Sequence, residues 1–282
     1  MRPGSYTYHC VLRGALKNVT ISKRKKFSMR HFRSLTSGEE IVTYAQTHLS
    51  CLGKGSSRIV FACSKSKVLK IAINEKGYAQ NAAELFVSHN AETKGAVSAI
   101  MDSRKDEAGN VVWLISQLVR TVTSSDEFKA LSGFSWDVYG DTIKAFAKTN
   151  AQNDLESITS DISNQYSKRL VRLKNEGDER NAKYYETLLF ELDLMKNSSF
   201  FKGIVSAMKV NRLMPGDILE IDHYGKTSDG AIVLYDYGFT EEIAKRFYPT
   251  KTQETAKVYS LNRGNLLTNS GLKTIPLKKK AG

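Results

Sequence analysis

The acidic residue Asp236 has the surroundings of a cation ligand. It follows the apolar run Ala231–Tyr235, which is rich in strand-forming residues, and Asp229-Gly230 ahead of this run is a two-residue turn signal. Gly238 then interrupts the strand pattern and allows the backbone to turn away. Because Mg²⁺ prefers oxygen ligands, a carboxylate at such a strand end predicts a site for a divalent cation.

A second stretch that could bind a ligand is the small-residue loop Gly53-Lys54-Gly55-Ser56-Ser57, which precedes the strand pattern Ile59–Ala62. Glycine has no Cβ, so the backbone N–H groups of such a loop can approach phosphate oxygens closely. It is not a Walker A loop, because no Gly-Lys-Ser/Thr opens a helix here. An ordinary hairpin turn has the same composition, and both interpretations stand.

Lys70 is a charged residue inside the apolar run Val68–Ile73. A lysine in a strand at the edge of a sheet usually extends its ammonium to solvent, whereas in a central strand the ammonium needs an anion. A helix predicted from about Gly77 to Thr93 supplies two candidate partners, Glu84 and Glu92. The alternative for each is a solvated carboxylate on the helix surface.

The elements that would position these residues follow in a simple order. A short helix, Ser37–Leu49, precedes the glycine loop, and an antiparallel hairpin is predicted from Ala96–Met101 and Val111–Leu118. From Ser124 to about Val210 the pattern is helical throughout. Strands followed by a run of helices predict an α+β fold with two lobes.

The positive charge is concentrated at the two ends of the chain. Residues 1–38 carry nine Lys or Arg and no acid, and residues 251–282 carry seven Lys or Arg with one Glu, within a net charge of +13 for all 282 residues. The central part is therefore close to neutral. Basic arms of this kind favour anionic partners such as nucleic acid or an acidic protein, and a solvated tail is the alternative.

Composition excludes several classes of protein. With 41% hydrophobic residues the chain can bury a core, and the three cysteines show no paired spacing that would indicate disulfides or a zinc site. No apolar run approaches the roughly 18 residues that span a bilayer. We therefore expect a soluble protein of a reducing compartment, without a membrane span.

Taken in order, these motifs resemble the protein-kinase-like superfamily. Gly53-Lys-Gly55-Ser-Ser-Arg58-Ile-Val60 resembles the glycine-rich loop of kinases, with Val60 at the position of its valine and Arg58 where the third glycine would stand. Lys70 resembles the strand lysine that contacts the nucleotide phosphates, and Glu84 its helix partner. Asp236-Tyr237-Gly238 resembles the Asp-Phe-Gly motif.

The resemblance implies a role for each motif. The loop residues Gly53 to Ser57 with Val60, Lys70 and Glu84 would bind ATP, and Asp236 would hold Mg²⁺. Pro215-Gly216-Asp217 stands where the catalytic loop is expected, which makes Asp217 the candidate base, with Lys70 as the other catalytic residue. Asp222, five residues later, is the favoured second metal ligand, and His223 is the alternative.

The sequence also departs from the kinase pattern. The His-Arg pair that normally precedes the catalytic aspartate is missing, and only 44 residues follow Gly238, without an Ala-Pro-Glu motif. These departures favour a compact atypical kinase, like small-molecule kinases and the reduced kinase-like proteins of bacteria and their viruses. The expected location is the cytoplasm, or a host cytoplasm or virion if the chain is encoded by a phage.

The expected fold is thus α+β and bilobal, with an antiparallel-sheet N-lobe holding one helix and a reduced, mainly helical C-lobe. The expected divisions are a basic extension (1–50), the N-lobe (51–120), the C-lobe (121–250) and a basic tail (251–282). The expected function is ATP- and Mg²⁺-dependent transfer of phosphate to a hydroxyl on a protein or small molecule. The alternative is a weak pseudokinase, or a phage structural protein whose basic arms bind nucleic acid or a protein partner.

Overall fold

The structure is a computed structural model that describes residues 26–149 and 154–248. The described residues up to Glu241 form one compact unit, and a second unit begins at Glu242. The predicted basic tail and the first half of the predicted basic extension, residues 1–25, lie outside the described residues. The bounds of the four predicted divisions stay predictions.

A five-stranded antiparallel sheet forms the first lobe, with the spatial order β1-β2-β3-β5-β4. One helix, α3, lies between β3 and β4 along the chain. Because β3 is paired on both sides, Lys70 lies on a central strand rather than at an edge. The elements of this lobe are α1 (Met29–Ser34), α2 (Gly38–His48), β1 (Ser50–Lys54), β2 (Arg58–Ala62), β3 (Lys67–Ala72), α3 (Glu75–His89), β4 (Ile100–Lys105) and β5 (Val111–Gln117).

The two faces of the sheet are covered by different elements. Side chains alternate along a strand, so Leu69 and Ile71 of β3 point to one face and Lys70 to the other. Leu69 and Ile71 pack into a buried cluster with Phe32 of α1 and Ile41 of α2. Two helices from the predicted extension thus belong to the hydrophobic core of this lobe, and the Lys70 face is left to α3.

The second lobe is mainly helical and packs around aromatic side chains, among them Phe128, Tyr139 and Phe201. A small antiparallel sheet, β6-β7-β8, borders it. The elements from the first lobe to the end of this unit are β6 (Arg120–Thr121), α4 (Ser125–Ser132), α5 (Trp136–Lys148), α6 (Leu155–Asn175), α7 (Glu179–Asn197), α8 (Ser199–Asn211), α9 (Pro215–Ile218), β7 (Tyr224–Lys226) and β8 (Ile232–Leu234). Helix α10 (Glu241–Phe247) begins at the last residue of this unit, and its other residues belong to the second unit.

The predicted α+β class, with an antiparallel-sheet N-lobe and a mainly helical C-lobe, is confirmed. The hairpin between β4 and β5 is also confirmed, and Gly109 in its turn has a φ of +86°. Within residues 26–149 and 154–248, none of the helices combines the length and the apolar composition that crossing a membrane requires.

Candidate functional site

The predicted hairpin before Asp236 is present. Strands β7 and β8 pair antiparallel, with Gly225 opposite Val233, and Gly230 in the connecting turn has a φ of +94°. Leu234 at the end of β8 exchanges backbone hydrogen bonds with the segment between α3 and β4: its N–H donates to Ala96 and its carbonyl accepts from Ser98. The hairpin is therefore fixed to the first lobe just before Asp236.

Gly238 brings the same segment against α3. A Cβ at this position would lie 3.1 Å from both the Cβ and the carbonyl oxygen of Gln80, and 3.3 Å from the carboxylate of Glu84. The side chain of Tyr237 is buried, and its hydroxyl donates a hydrogen bond of 2.8 Å to the carbonyl of Ser98. A glycine at 238 thus allows Asp236 to approach the helix that carries Glu84.

Lys70 is buried and paired, as the central-strand interpretation requires. Its Nζ donates to Glu84 Oε2 at 2.7 Å and to the backbone carbonyl of Tyr235 at 2.8 Å. Glu84 is completely buried. Glu92, the other candidate, accepts a hydrogen bond from Ser206 in the second lobe. Lys70 therefore links α3 to the residue immediately before Asp236.

Arg58 is the residue of this site whose role the sequence did not predict. Its Nη1 donates to Glu84 Oε1 at 2.5 Å, and its Nη2 donates to Asp236 Oδ1 at 2.9 Å. The guanidinium side chain is only 10% exposed. The sequence showed an arginine in place of a glycine. The signal for this role was the position of Arg58 at the start of the apolar strand β2, opposite Ala72 on the strand that carries Lys70.

The four side chains form a balanced cluster of two cations, Arg58 and Lys70, and two carboxylates, Glu84 and Asp236. Burial raises the pKa of Asp236, but the positive charges of Arg58, Lys70 and His223 outweigh this effect and lower the pKa to about 2. Asp236 is therefore ionised at neutral pH. Its side chain remains 40% exposed, which leaves it accessible to a ligand.

Asp217 lies near this cluster, on the short helix α9. Burial and the neighbouring carboxylate of Asp236 raise the pKa of Asp217 to about 7, although His223 and Arg58 act in the opposite direction. The Nδ1 atom of His223 lies 2.8 Å from the backbone carbonyl of Asp217, within hydrogen-bonding distance. Two nearby carboxylates with separated pKa values are typical of sites that transfer protons.

Both predicted metal ligands, Asp236 and Asp222, have hydrogen-bond partners within the chain. Asp222 contributes its backbone carbonyl, which accepts a hydrogen bond of 2.6 Å from the hydroxyl of Tyr235. In the described part of the chain no group of three or more His, Cys, Asp or Glu side chains could hold a metal ion. Because Arg58 already binds Asp236, the arrangement does not fit Mg²⁺. Asp236 and Asp222, with His223 as the alternative, stay predictions as metal ligands.

The loop from Gly53 to Ser57 is a tight hairpin turn, in which the Gly55 N–H donates to the carbonyl of Arg58. It is fastened to the start of α3: Asn74 donates to the carbonyl of Ser56 at 2.8 Å, and Ser57 donates to Gln80 at 2.5 Å. The structure therefore contains the turn that the sequence allowed. The nucleotide-binding roles predicted for Gly53, Lys54, Gly55, Ser56, Ser57 and Val60 stay predictions.

No protein-family model matches this sequence, and no curated protein matches it. Among solved structures, it is similar to a streptomycin-ATP complex of APH(2'')-IIa, with 14% identity over 80% of this chain and 86% of the other and a TM-score of 0.32. It is also similar to ADP-bound aminoglycoside phosphotransferase APH(2'')-Ib, with 13% identity, coverage of 77% and 82%, and a TM-score of 0.31. Similarity at this level is too low to assign a function.

Proposed function

We propose that this protein is a nucleotide-dependent phosphotransferase of the atypical protein-kinase-like class, with ATP as the phosphate donor. One observation carries the proposal. Lys70 from the sheet, Glu84 from α3 and Asp236 after β8 converge through the Lys70–Glu84 ion pair, the Lys70–Tyr235 hydrogen bond and the Arg58 bridge. Their order along the chain is the order of the corresponding motifs in kinases.

Lys70 would supply positive charge to the phosphates of ATP. An ammonium group has three N–H donors, and the two bonds described here use two of them. Glu84 holds the ammonium in place, so binding a phosphate would require little reorganisation. Catalysis of phosphoryl transfer rests mainly on positioning and charge stabilisation, which a buried lysine on a rigid strand provides.

Asp217 would accept the proton of the acceptor hydroxyl. A general base works best when its pKa lies near the working pH, and the pKa of about 7 meets this condition. The negative charge of Asp236 disfavours the ionised form of Asp217. It therefore favours the uptake of a proton by Asp217. The acceptor would be a hydroxyl on a protein or a small molecule.

Binding of ATP by the full-length protein tests the first part of the proposal. We expect Lys70→Met to weaken ATP binding by more than about tenfold in calorimetry, because the phosphates lose a buried cation. Lys67→Met is the matched control, since Lys67 is an exposed lysine on the same strand. Equal loss in both variants, or no loss in Lys70→Met, would contradict the role of Lys70.

Transfer of labelled phosphate from ATP tests the second part. Wild-type protein should phosphorylate itself or an added hydroxyl acceptor, and Asp217→Ala should abolish transfer while it leaves ATP binding intact. Retained turnover in Asp217→Ala would remove Asp217 from the mechanism.

The bridge from Arg58 to Asp236 favours a second candidate, a pseudokinase that binds a nucleotide or a partner without transfer. In this case the basic termini would hold nucleic acid or an acidic protein. It predicts ATP binding that depends on Lys70 but no transferred label under any condition. The two candidates therefore share the binding result and differ in the transfer result.

A further inference from the structure

Arg58 stands where a carboxylate at a kinase-like site would meet a divalent cation. Its guanidinium contacts Asp236 Oδ1 at 2.9 Å and is held from behind by Glu84 Oε1 at 2.5 Å. Asp236 thus has a cation partner from the chain itself. A bound metal ion would neutralise the same carboxylate.

Two neighbouring elements, β3 and α3, fix the position of Arg58. Arg58 begins β2 and pairs with Ala72 of β3, while the adjacent turn is fastened to α3 through Ser56 and Ser57. Its guanidinium side chain is 10% exposed, in contrast to the 58% of Arg33, which pairs with Asp102 at the surface. The Arg58–Asp236 bridge is therefore a contact whose largely buried arginine is held in position, and not a flexible surface ion pair.

The charges of the cluster disfavour a metal ion at Asp236. Arg58 and Lys70 already balance Glu84 and Asp236, so these four side chains leave no net negative charge among them to attract a divalent cation. A cation on the same carboxylate would also repel the guanidinium, because like charges that share one carboxylate repel appreciably even near a protein surface. Metal binding and the Arg58–Asp236 contact therefore oppose each other.

We propose that Arg58 occupies the cation position of Asp236, so that a divalent cation binds this carboxylate only after the guanidinium has left it. Arg58 then determines the metal affinity of the site from inside the fold. The proposal concerns the chain and the metal alone. It requires no nucleotide, so a failure of ATP binding leaves it intact.

Titration of the full-length protein with Mn²⁺ alone, followed by the electron paramagnetic resonance signal of the free ion, tests the proposal. We expect weak binding in the wild type and at least about tenfold tighter binding in Arg58→Gln, which keeps a polar side chain but removes the charge. The double variant Arg58→Gln/Asp236→Asn should return to the wild-type affinity. Arg120→Gln is the matched control, because Arg120 forms a more exposed ion pair with Glu127.

Equal Mn²⁺ affinity in wild type and Arg58→Gln overturns the proposal, and so does a gain that survives Asp236→Asn. Arg58→Lys serves if Arg58→Gln does not fold. A lysine keeps a positive charge beside the buried Glu84 but has a single ammonium that cannot bridge both carboxylates in the geometry of a guanidinium. It should bind Mn²⁺ more tightly than wild type, and the absence of any gain in a folded Arg58→Lys protein also refutes the proposal.

Discussion

Two buried glutamates, Glu84 on α3 and Glu191 on α7, solve the same physical problem in different ways. The side chain of Glu84 is inaccessible and that of Glu191 is 4% exposed, so each carboxylate needs partners inside the protein. Glu84 has two buried cations. Glu191 pairs with Lys129, which is half exposed, and accepts a hydrogen bond of 2.9 Å from the backbone N–H of Ser135.

The difference lies in what each carboxylate is connected to. Glu191 satisfies a backbone donor at the start of α5, and its role there is complete. Glu84 shares Arg58 with a second carboxylate, Asp236, which is 40% exposed. Burial alone therefore does not distinguish these two carboxylates, whereas the link through a shared cation to an accessible carboxylate does.

The largest expected effect comes from Glu84→Gln. Removing this charge leaves Arg58 and Lys70 with a single carboxylate between them in a buried environment. The free energy of unfolding should fall by about 3 kcal/mol, because breaking a buried ion pair leaves uncompensated charge. Urea denaturation measures this change, and calorimetry on the folded fraction should show that ATP binding is lost as well. A variant with wild-type stability and ATP affinity would contradict the assigned role of Glu84.

Glu191→Gln is the matched substitution in the other region. The amide oxygen can still accept the Ser135 N–H, so only the charged interaction with the half-exposed Lys129 is lost. We expect the free energy of unfolding to fall by about 1.5 kcal/mol, with ATP affinity unchanged. If ATP binding also weakens, the distinction between a structural and a functional carboxylate fails.

The structural features around Glu84 and Asp236 that the sequence predicted are those that depend on local sequence pattern. The turn at Asp229-Gly230 and the apolar run after it predicted the hairpin before Asp236. The strand and helix periods left Glu84 and Glu92 as candidate partners of Lys70, and the resemblance to kinases selected Glu84. The structure confirms that hairpin and contains that ion pair.

The remaining features depend on contacts that no local pattern records. Arg58 and Asp236 are 178 positions apart, and only the folded chain shows that the arginine reaches the carboxylate. Glu191 stands within an amphipathic helix, where its sequence neighbours do not show that it is buried. Helix α1 has six residues, fewer than two helical turns, so its apolar period could not be recognised.

Asp217 provides a pH test of the site. Its pKa is about 7 in the folded protein, above the ordinary value of 3.8. Between about pH 4 and 7, Asp217 is therefore protonated in the folded state and ionised in the unfolded chain. The free energy of unfolding should therefore decrease as the pH rises through this range. The transfer rate should increase with pH and fall about tenfold per pH unit well below 7.

Asp217→Asn is the control for the unfolding measurement. It cannot ionise, so the part of the pH dependence of unfolding that belongs to Asp217 should disappear in denaturation curves recorded from pH 4 to 8. A transfer rate that does not change between pH 5.5 and 7.5 in the wild type would exclude Asp217 as the base.

The smallest expected effect comes from Tyr237→Phe, which tests how the segment carrying Asp236 is held. The ring stays in the core, and the hydrogen bond from the hydroxyl to the carbonyl of Ser98 is lost. We expect the free energy of unfolding to fall by about 1 kcal/mol in urea denaturation. Because Gly238 and the Lys70–Tyr235 bond still fix the backbone on both sides of Tyr237, ATP affinity should remain within about twofold of wild type. A larger loss of affinity would show that the tyrosine hydroxyl, and not the ion cluster, positions Asp236.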